Sequence, residues 1–277
     1  MRQVKLGVDT YSYHLAIGCY EYHPRERMTW EQFMSTAKSL GVDGVMIVEF
    51  SEEEKNSNEF IRSIRTKADE LGIYIETGTD GTDVKRLSRD LRFSQNVGSR
   101  IMRITVESDR YSRNFTVEEQ LKAAVTRLRE ITPLAEKLDI KLAIENHQDL
   151  KSSELVSVLR QVDSDHLGIC YDTGNSLAVL EDPIYTAQEL APYAFTTHFK
   201  DCCFAMSPYG TNITHTTLGR GLLPLAQIVE ILKQKAHDPN INIEVVSQPG
   251  FTEEETLVRE HRTVEESVRY ARESLGI

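Results

Sequence analysis

Four short segments in the C-terminal half of the chain end in a group that can bind a metal ion or move a proton: Leu-Ala-Ile-Glu145, Ile-Cys-Tyr-Asp172, Thr-Thr-His198 and Asn-Ile-Glu244. Side chains alternate across a strand. Ala143 and Glu145 therefore share one face, and Leu142 and Ile144 the other. The same parity groups Gly168, Cys170 and Asp172, then Ala194, Thr196 and His198, then Asn242 and Glu244. In each segment the bulky apolar set suits a covering layer of helices, and the small or polar set runs to an ionisable end. Three carboxylates brought together repel one another and raise their pKa values. A divalent cation removes that conflict. Three oxygen ligands and one imidazole, with no thiolate, suit one Mn²⁺, Mg²⁺, Co²⁺ or Zn²⁺, and lean towards Mn²⁺.

The elements that must carry these groups alternate from end to end. Strands are expected at Val4–Asp9, Gly44–Glu49, Ile73–Thr77, Ile101–Val106, Lys141–Asn146, Leu167–Asp172, Ala194–Phe199 and Ile241–Val246. Between and after them, apolar 3–4 spacing and Gly stops predict helices at Trp30–Leu40, Ser57–Leu71, Val84–Asn96, Val117–Leu138, Ser152–Val162, Pro183–Leu190, Leu223–Lys235 and Glu253–Ser274. Pro133 marks a kink or break in the fourth. Eight strand–helix units in a chain of 277 residues point to an α/β fold, a closed (β/α)₈ TIM barrel, as one domain over residues 1–277. An open doubly wound sheet is the alternative, but Asp9-Thr-Tyr-Ser-Tyr-His14 lacks its Gly-rich first turn. In a barrel, Glu145, Asp172, His198 and Glu244 end strands five to eight and border one mouth, where active sites form.

Bulk properties narrow the function classes. The net charge of −11 argues against nucleic acid as a partner. No apolar run approaches the roughly 20 residues of a membrane span, and the N-terminus enters a strand pattern with no secretory signal. Cys19, Cys170, Cys202 and Cys203 fit neither a disulfide framework nor a zinc knuckle, which points to thiols in a reducing cytoplasm.

The motifs Leu-Ala-Ile-Glu145-Asn-His147, Cys-Tyr-Asp172-Thr-Gly-Asn175, Thr-His198-Phe-Lys200-Asp201, Leu218-Gly-Arg-Gly221 and Ile-Glu244 resemble those of the xylose isomerase-like barrel superfamily, within its sugar phosphate isomerase/epimerase group. The resemblance spans the whole chain. It implies that Glu145, Asp172, His198 and Glu244 hold a divalent metal, often manganese, that the substrate is a small carbohydrate, and it leaves a homo-oligomer open. The keto-sugar epimerases of this group often carry a substrate-contacting His three residues after the metal-binding Asp. Here that position is Asn175, which can hydrogen-bond a hydroxyl but does not titrate near neutrality.

The expected chemistry is proton transfer at a carbon beside a carbonyl, through a metal-stabilised enediolate, with Glu145 and Glu244 removing and returning the proton. This is an isomerase or epimerase acting on a carbohydrate or keto-polyol. A lyase or dehydratase on a keto-sugar or keto-inositol-type substrate is the first alternative, and a non-catalytic sugar-binding barrel the second. His147 shares the parity of Glu145, and Lys200 that of His198. Arg103 sits mid-strand, and Arg220 lies in a loop over the same mouth. These four and Asn175 are the substrate-binding candidates. Glu49 and Glu76 end strands and could meet hydroxyls, and Tyr11 and Tyr13 could line the pocket. Trp30, His14, His215 and the Cys202-Cys203 pair take structural readings. Ser247-Gln-Pro-Gly250 is too faint a signal for a phosphate site.

Overall fold

The computed structural model describes residues 4–19, 22–48, 50–236 and 238–277. Eight parallel strands close into a barrel in the spatial order β1 (Leu6–Asp9), β10 (Asn240–Ile243), β7 (Ala194–Phe199), β6 (Leu167–Asp172), β5 (Lys141–Glu145), β4 (Ile101–Ile104), β3 (Tyr74–Gly78) and β2 (Gly44–Ile47). The remaining two strands, β8 (Asp201–Ser207) and β9 (Gly210–Thr216), form a separate antiparallel hairpin directly after β7. The sequence predicts no element over these residues. The hairpin buries little of itself, so its strands carry no strong alternation of apolar and polar residues.

Helices ring the barrel: α2 (Trp30–Ser39), α4 (Asn58–Leu71), α5 (Val84–Val97), α6 (Val117–Leu138), α7 (Ser152–Val162), α8 (Pro183–Leu190), α9 (Leu225–Lys235) and α10 (Glu253–Glu273), with short turns of helix at α1 (His14–Ile17) and α3 (Glu52–Asn56). Their starts are written in the sequence. Thr29, Ser51 and Thr116 accept the amide three residues on, while Gln32, Glu54 and Glu119 reach back to the cap amide. Helix α6 runs unbroken through Pro133. No described helix is long and apolar enough to cross a membrane.

The main core lies between barrel and helices, built from residues such as Leu6, Val8, Leu142, Ile144, Ile169, Tyr171, Ile241 and Ile243. The opposite faces of the same strands fill the barrel, where Met46, Ala143 and Cys170 pack on one another. Below them Tyr74 reaches across the barrel and donates its hydroxyl to Asn242 Oδ1 at 2.8 Å. Only glycine leaves room for it: a Cβ on Gly44 would stand 2.3 Å from the Tyr74 ring. Register then sets the height of the polar groups above this layer. Asp172 and Asn242 both stand level with His198, and Glu145 level with Cys170.

Candidate active site at the barrel mouth

Short-range hydrogen bonds fix the strand ends before any charge is considered. Asn146 clasps the next strand, its amide donating to Asp172 O at 2.8 Å and its oxygen accepting the Asp172 N–H at 2.7 Å. Thr173 joins β6 to β7 by donating to Lys200 O and accepting the Lys200 N–H. Asp172 Oδ1 accepts the N–H groups of Gly174 and Asn175, each at 2.8 Å, which turns its other oxygen into the barrel.

On this frame Glu145, Asp172 and His198 present ligand atoms that all lie within 4.8 Å of one another. His198 Nδ1 stands 3.4 Å from Glu145 Oε2 and 3.4 Å from Glu244 Oε2. All four side chains are buried. Lys200 Nζ lies 2.7 Å from Asp172 Oδ2 and 2.6 Å from Glu244 Oε2. Arg103 grips Glu145 and reaches Asp80 Oδ1 at 2.6 Å, while Asn175 Nδ2 donates to Glu145 Oε1 at 2.9 Å. Even so, Asp172 Oδ2, His198 Nδ1 and Glu244 Oε2 make no well-directed hydrogen bond although buried. Buried polar atoms of this kind call for a partner. Glu145, Asp172 and His198 converging, with Glu244 against the same imidazole and three buried polar atoms lacking a directed hydrogen bond, fit a divalent cation.

The electrostatics hold two of the carboxylates, Glu145 and Glu244, ionised. Burial raises Glu145, but the Arg103 guanidinium and His198 outweigh it and hold the carboxyl well below its usual range. Burial raises Glu244 too, yet Lys200 and His198 bring it down to about 2. For Asp172, burial prevails over Lys200 and lifts the group to about 6. Burial would lower His198, but Glu145 and Glu244 raise it to about 9.

Glu145 and Glu244 line a cavity of about 850 Å³ together with Tyr11, Arg103, His147, Asn175, Lys200 and His215, among others, and Asp172 and His198 lie buried beside them. Of the predicted substrate contacts, Arg103, His147, Asn175 and Lys200 face this space. Arg220 does not. Its guanidinium turns to the closing helix and meets Glu266 at 2.8 Å. The Leu218–Gly221 motif instead offers backbone amides: Asp201 Oδ2 accepts the N–H groups of Gly219 and Gly221. Glu76 also departs from expectation. It lies at the barrel floor, bonded to Thr196, Asn240 and Asn242, out of reach of the mouth. Glu49 falls outside the described residues. Tyr13 points away, its hydroxyl 2.8 Å from His261 Nδ1, and Trp30 packs on Phe50.

Two cavity groups, Asp80 and His215, and the buried Asp9 go beyond the sequence expectations, which gave His215 a structural reading. His215 reaches the cavity from β9, where burial and then Lys200 lower it to about 4 and keep the ring neutral. Asp80 follows β3 and pairs with Arg103. Asp9 ends β1 with no exposed surface, and its Oδ2 stands 3.7 Å from His198 Nε2. Asp9 had a readable signal, since it is an acid at a strand end with the inward parity of Gly7.

The family profile described as Xylose isomerase-like TIM barrel matches residues 75–273. The chain belongs to that family. Its members do different chemistry on one scaffold. The 3-oxo-isoapionate decarboxylase of Pectobacterium atrosepticum is 28% identical over 237 residues, covering 85% of this chain and 84% of the relative. The D-psicose 3-epimerase of Clostridium cellulolyticum H10, solved with D-tagatose, superposes with a TM-score of 0.79 at 15% identity, covering 98% of this chain and 99% of that one. A xylose isomerase-like TIM barrel protein of Mycobacterium smegmatis, in complex with magnesium, gives a TM-score of 0.68 at 15% identity, over 97% and 100%.

Proposed function

We propose that this chain is a divalent-metal-dependent enzyme that makes and then protonates an enediolate on a small keto-sugar or keto-sugar acid. The observation that carries this reading is the convergence of Glu145, Asp172, His198 and Glu244 beneath a cavity that Arg103, His147, Asn175 and Lys200 also line. Those four side chains would hold the ion; we favour Mn²⁺, with Mg²⁺, Co²⁺ or Zn²⁺ as substitutes. When bound, it supplies positive charge beside a substrate carbonyl oxygen. Arg103 positions Glu145, and Asn175 holds the other oxygen of the same carboxylate. Lys200 and Arg103 also line the cavity, each held between two carboxylates.

Two exits share the enediolate. In an isomerase or epimerase, Glu145 and Glu244 act as the base and acid pair. In a decarboxylating lyase, the electrons come from the breaking bond to CO₂, no base is required, and one proton then arrives at carbon. We rank decarboxylation first. Glu145 and Glu244 are held strongly ionised, which makes good ligands but weak bases. The relative with 28% identity is a decarboxylase. His147 and His215 line the space through which the proton must come.

Incubating Mn²⁺-loaded protein in D₂O with 3-keto-sugar acids and with free ketoses, followed by proton and carbon NMR, separates the readings. Bicarbonate release with one solvent deuteron in the product is expected. Deuterium incorporation with every carbon retained would establish proton transfer instead. Metal bound but neither outcome across the panel would reject the enediolate reading.

A further inference from the structure

Resting on the metal-site reading above, we infer that Asp9 is the residue that positions His198 for the ion, by accepting a hydrogen bond from the N–H on its far nitrogen. An imidazole that binds a cation through Nδ1 must carry its proton on Nε2, and the group that accepts this proton fixes the ring's tautomer and orientation. His198 Nδ1 is the nitrogen that faces Glu145 and Glu244, so Nε2 is the one turned away. Two atoms meet it there. Met46 Sδ lies at 3.0 Å, a thioether and a weak acceptor. Asp9 Oδ2 lies at 3.7 Å.

Among the described residues, the second oxygen of Asp9 has no hydrogen-bond partner. The residue has no exposed surface, its Oδ1 accepts the Tyr11 N–H at 2.7 Å, and its Oδ2 is buried without a hydrogen bond. The carboxylate is thus tethered at one oxygen and bare at the other, with the bare one nearest the His198 ring. A small ring rotation, of the kind that seating Nδ1 on a cation would require, shortens the gap to hydrogen-bond length. Asp9 is a positioning residue and touches no substrate. It lies on β1, which pairs with β2 and β10, so the contact ties the first strand of the barrel to the ligand on the seventh.

The test uses untagged full-length protein stripped of metal and titrated with Mn²⁺ by calorimetry. Asp9→Asn should weaken Mn²⁺ binding by about 10- to 100-fold, while the metal-free protein melts within a few degrees of wild type. A purely structural role predicts the reverse, a lower metal-free melting temperature with unchanged affinity, and that result overturns the inference. A second measurement needs no variant. In wild-type protein with ¹⁵N-histidine and Zn²⁺, the Nε2-bound proton of His198 should be strongly deshielded by a carboxylate acceptor. If that proton resonates where a free imidazole N–H does, Asp9 is not its acceptor. Should wild-type protein bind neither Mn²⁺ nor Zn²⁺, the metal reading itself fails. If wild type binds and Asp9→Asn binds within twofold of it, the metal reading stands and the role of Asp9 alone is refuted.

Discussion

The inside of this barrel has a floor and a rim built from the same strands, and the two treat polar groups in opposite ways. At the floor, Glu76 Oε2 accepts from Thr196 at 2.6 Å and Asn242 Nδ2 at 2.9 Å, its Oε1 accepts from Asn240, and Tyr74 closes the network through Asn242. Burial lifts Glu76 to about 7, with those hydrogen bonds pulling the other way. At the rim, one or two residues further along, Asp9, Asp172, His198 and Glu244 each keep a buried atom with no hydrogen bond. A floor that satisfies its own groups stabilises and does nothing more. A rim of crowded acids with undirected buried atoms costs stability unless a ligand completes it. The contrast separates two acids, Glu76 and Glu244, that look alike in sequence as strand-borne carboxylates.

The largest effect should come from removing a rim oxygen. Asp172→Asn or Glu244→Gln should lower Mn²⁺ affinity by more than about 100-fold, since disturbing even an outer partner of a ligand costs 10- to 100-fold. Turnover should fall to background with it. The metal-free protein should melt within a few degrees of wild type, because Lys200 retains one carboxylate in either variant. Calorimetric titration beside differential scanning calorimetry decides the matter. Wild-type metal affinity in either variant would make the rim a second floor.

Glu76 should answer to pH where the rim answers to metal. Its carboxyl is raised from 4.5 to about 7 in the fold. Between those values the folded protein retains a proton that the unfolded chain has released. Stability therefore falls as pH rises across that window, by up to about 3 kcal/mol from this group. Urea unfolding at pH 5 and pH 7.5 should show a shallower fall for Glu76→Gln than for wild type, with Mn²⁺ affinity unchanged. An identical pH slope in both proteins would mean that the floor carries its charge without cost.

Most of the barrel could be read in advance because its strands bury a bulky face against helices, and that burden forces β-branched and aliphatic residues into strict alternation. The four rim groups were legible for the same reason: parity places Glu145, Asp172 and His198 inward once Leu142, Tyr171 and Phe199 must face out. Parity says nothing of height, and height separates Glu76 from the rim, set by a register that no single strand encodes. Asp9 carries the same parity, opposite Leu6 and Val8, but its place beside His198 comes from barrel closure, which β1 alone does not encode. The β8–β9 hairpin was missed because Phe204, Met206 and Tyr209 stand exposed, so burial never patterned it.

Arg220 should give the smallest effect, and the reason sharpens what a motif can mean. Its side chain is 64% exposed in its pairing with Glu266, and such pairs contribute about 0–1 kcal/mol. Arg220→Ala should leave KM, kcat and metal affinity unchanged and shift stability by no more than about 0.5 kcal/mol. The neighbouring Gly221→Ala should do far more harm, because its Cβ would stand 2.1 Å from the Asp201 carboxylate that organises the hairpin's base. If the two substitutions are ranked the other way, with Arg220→Ala raising KM tenfold, the guanidinium must swing over the mouth during turnover, and the line drawn between cavity wall and outer surface would have to move to include it.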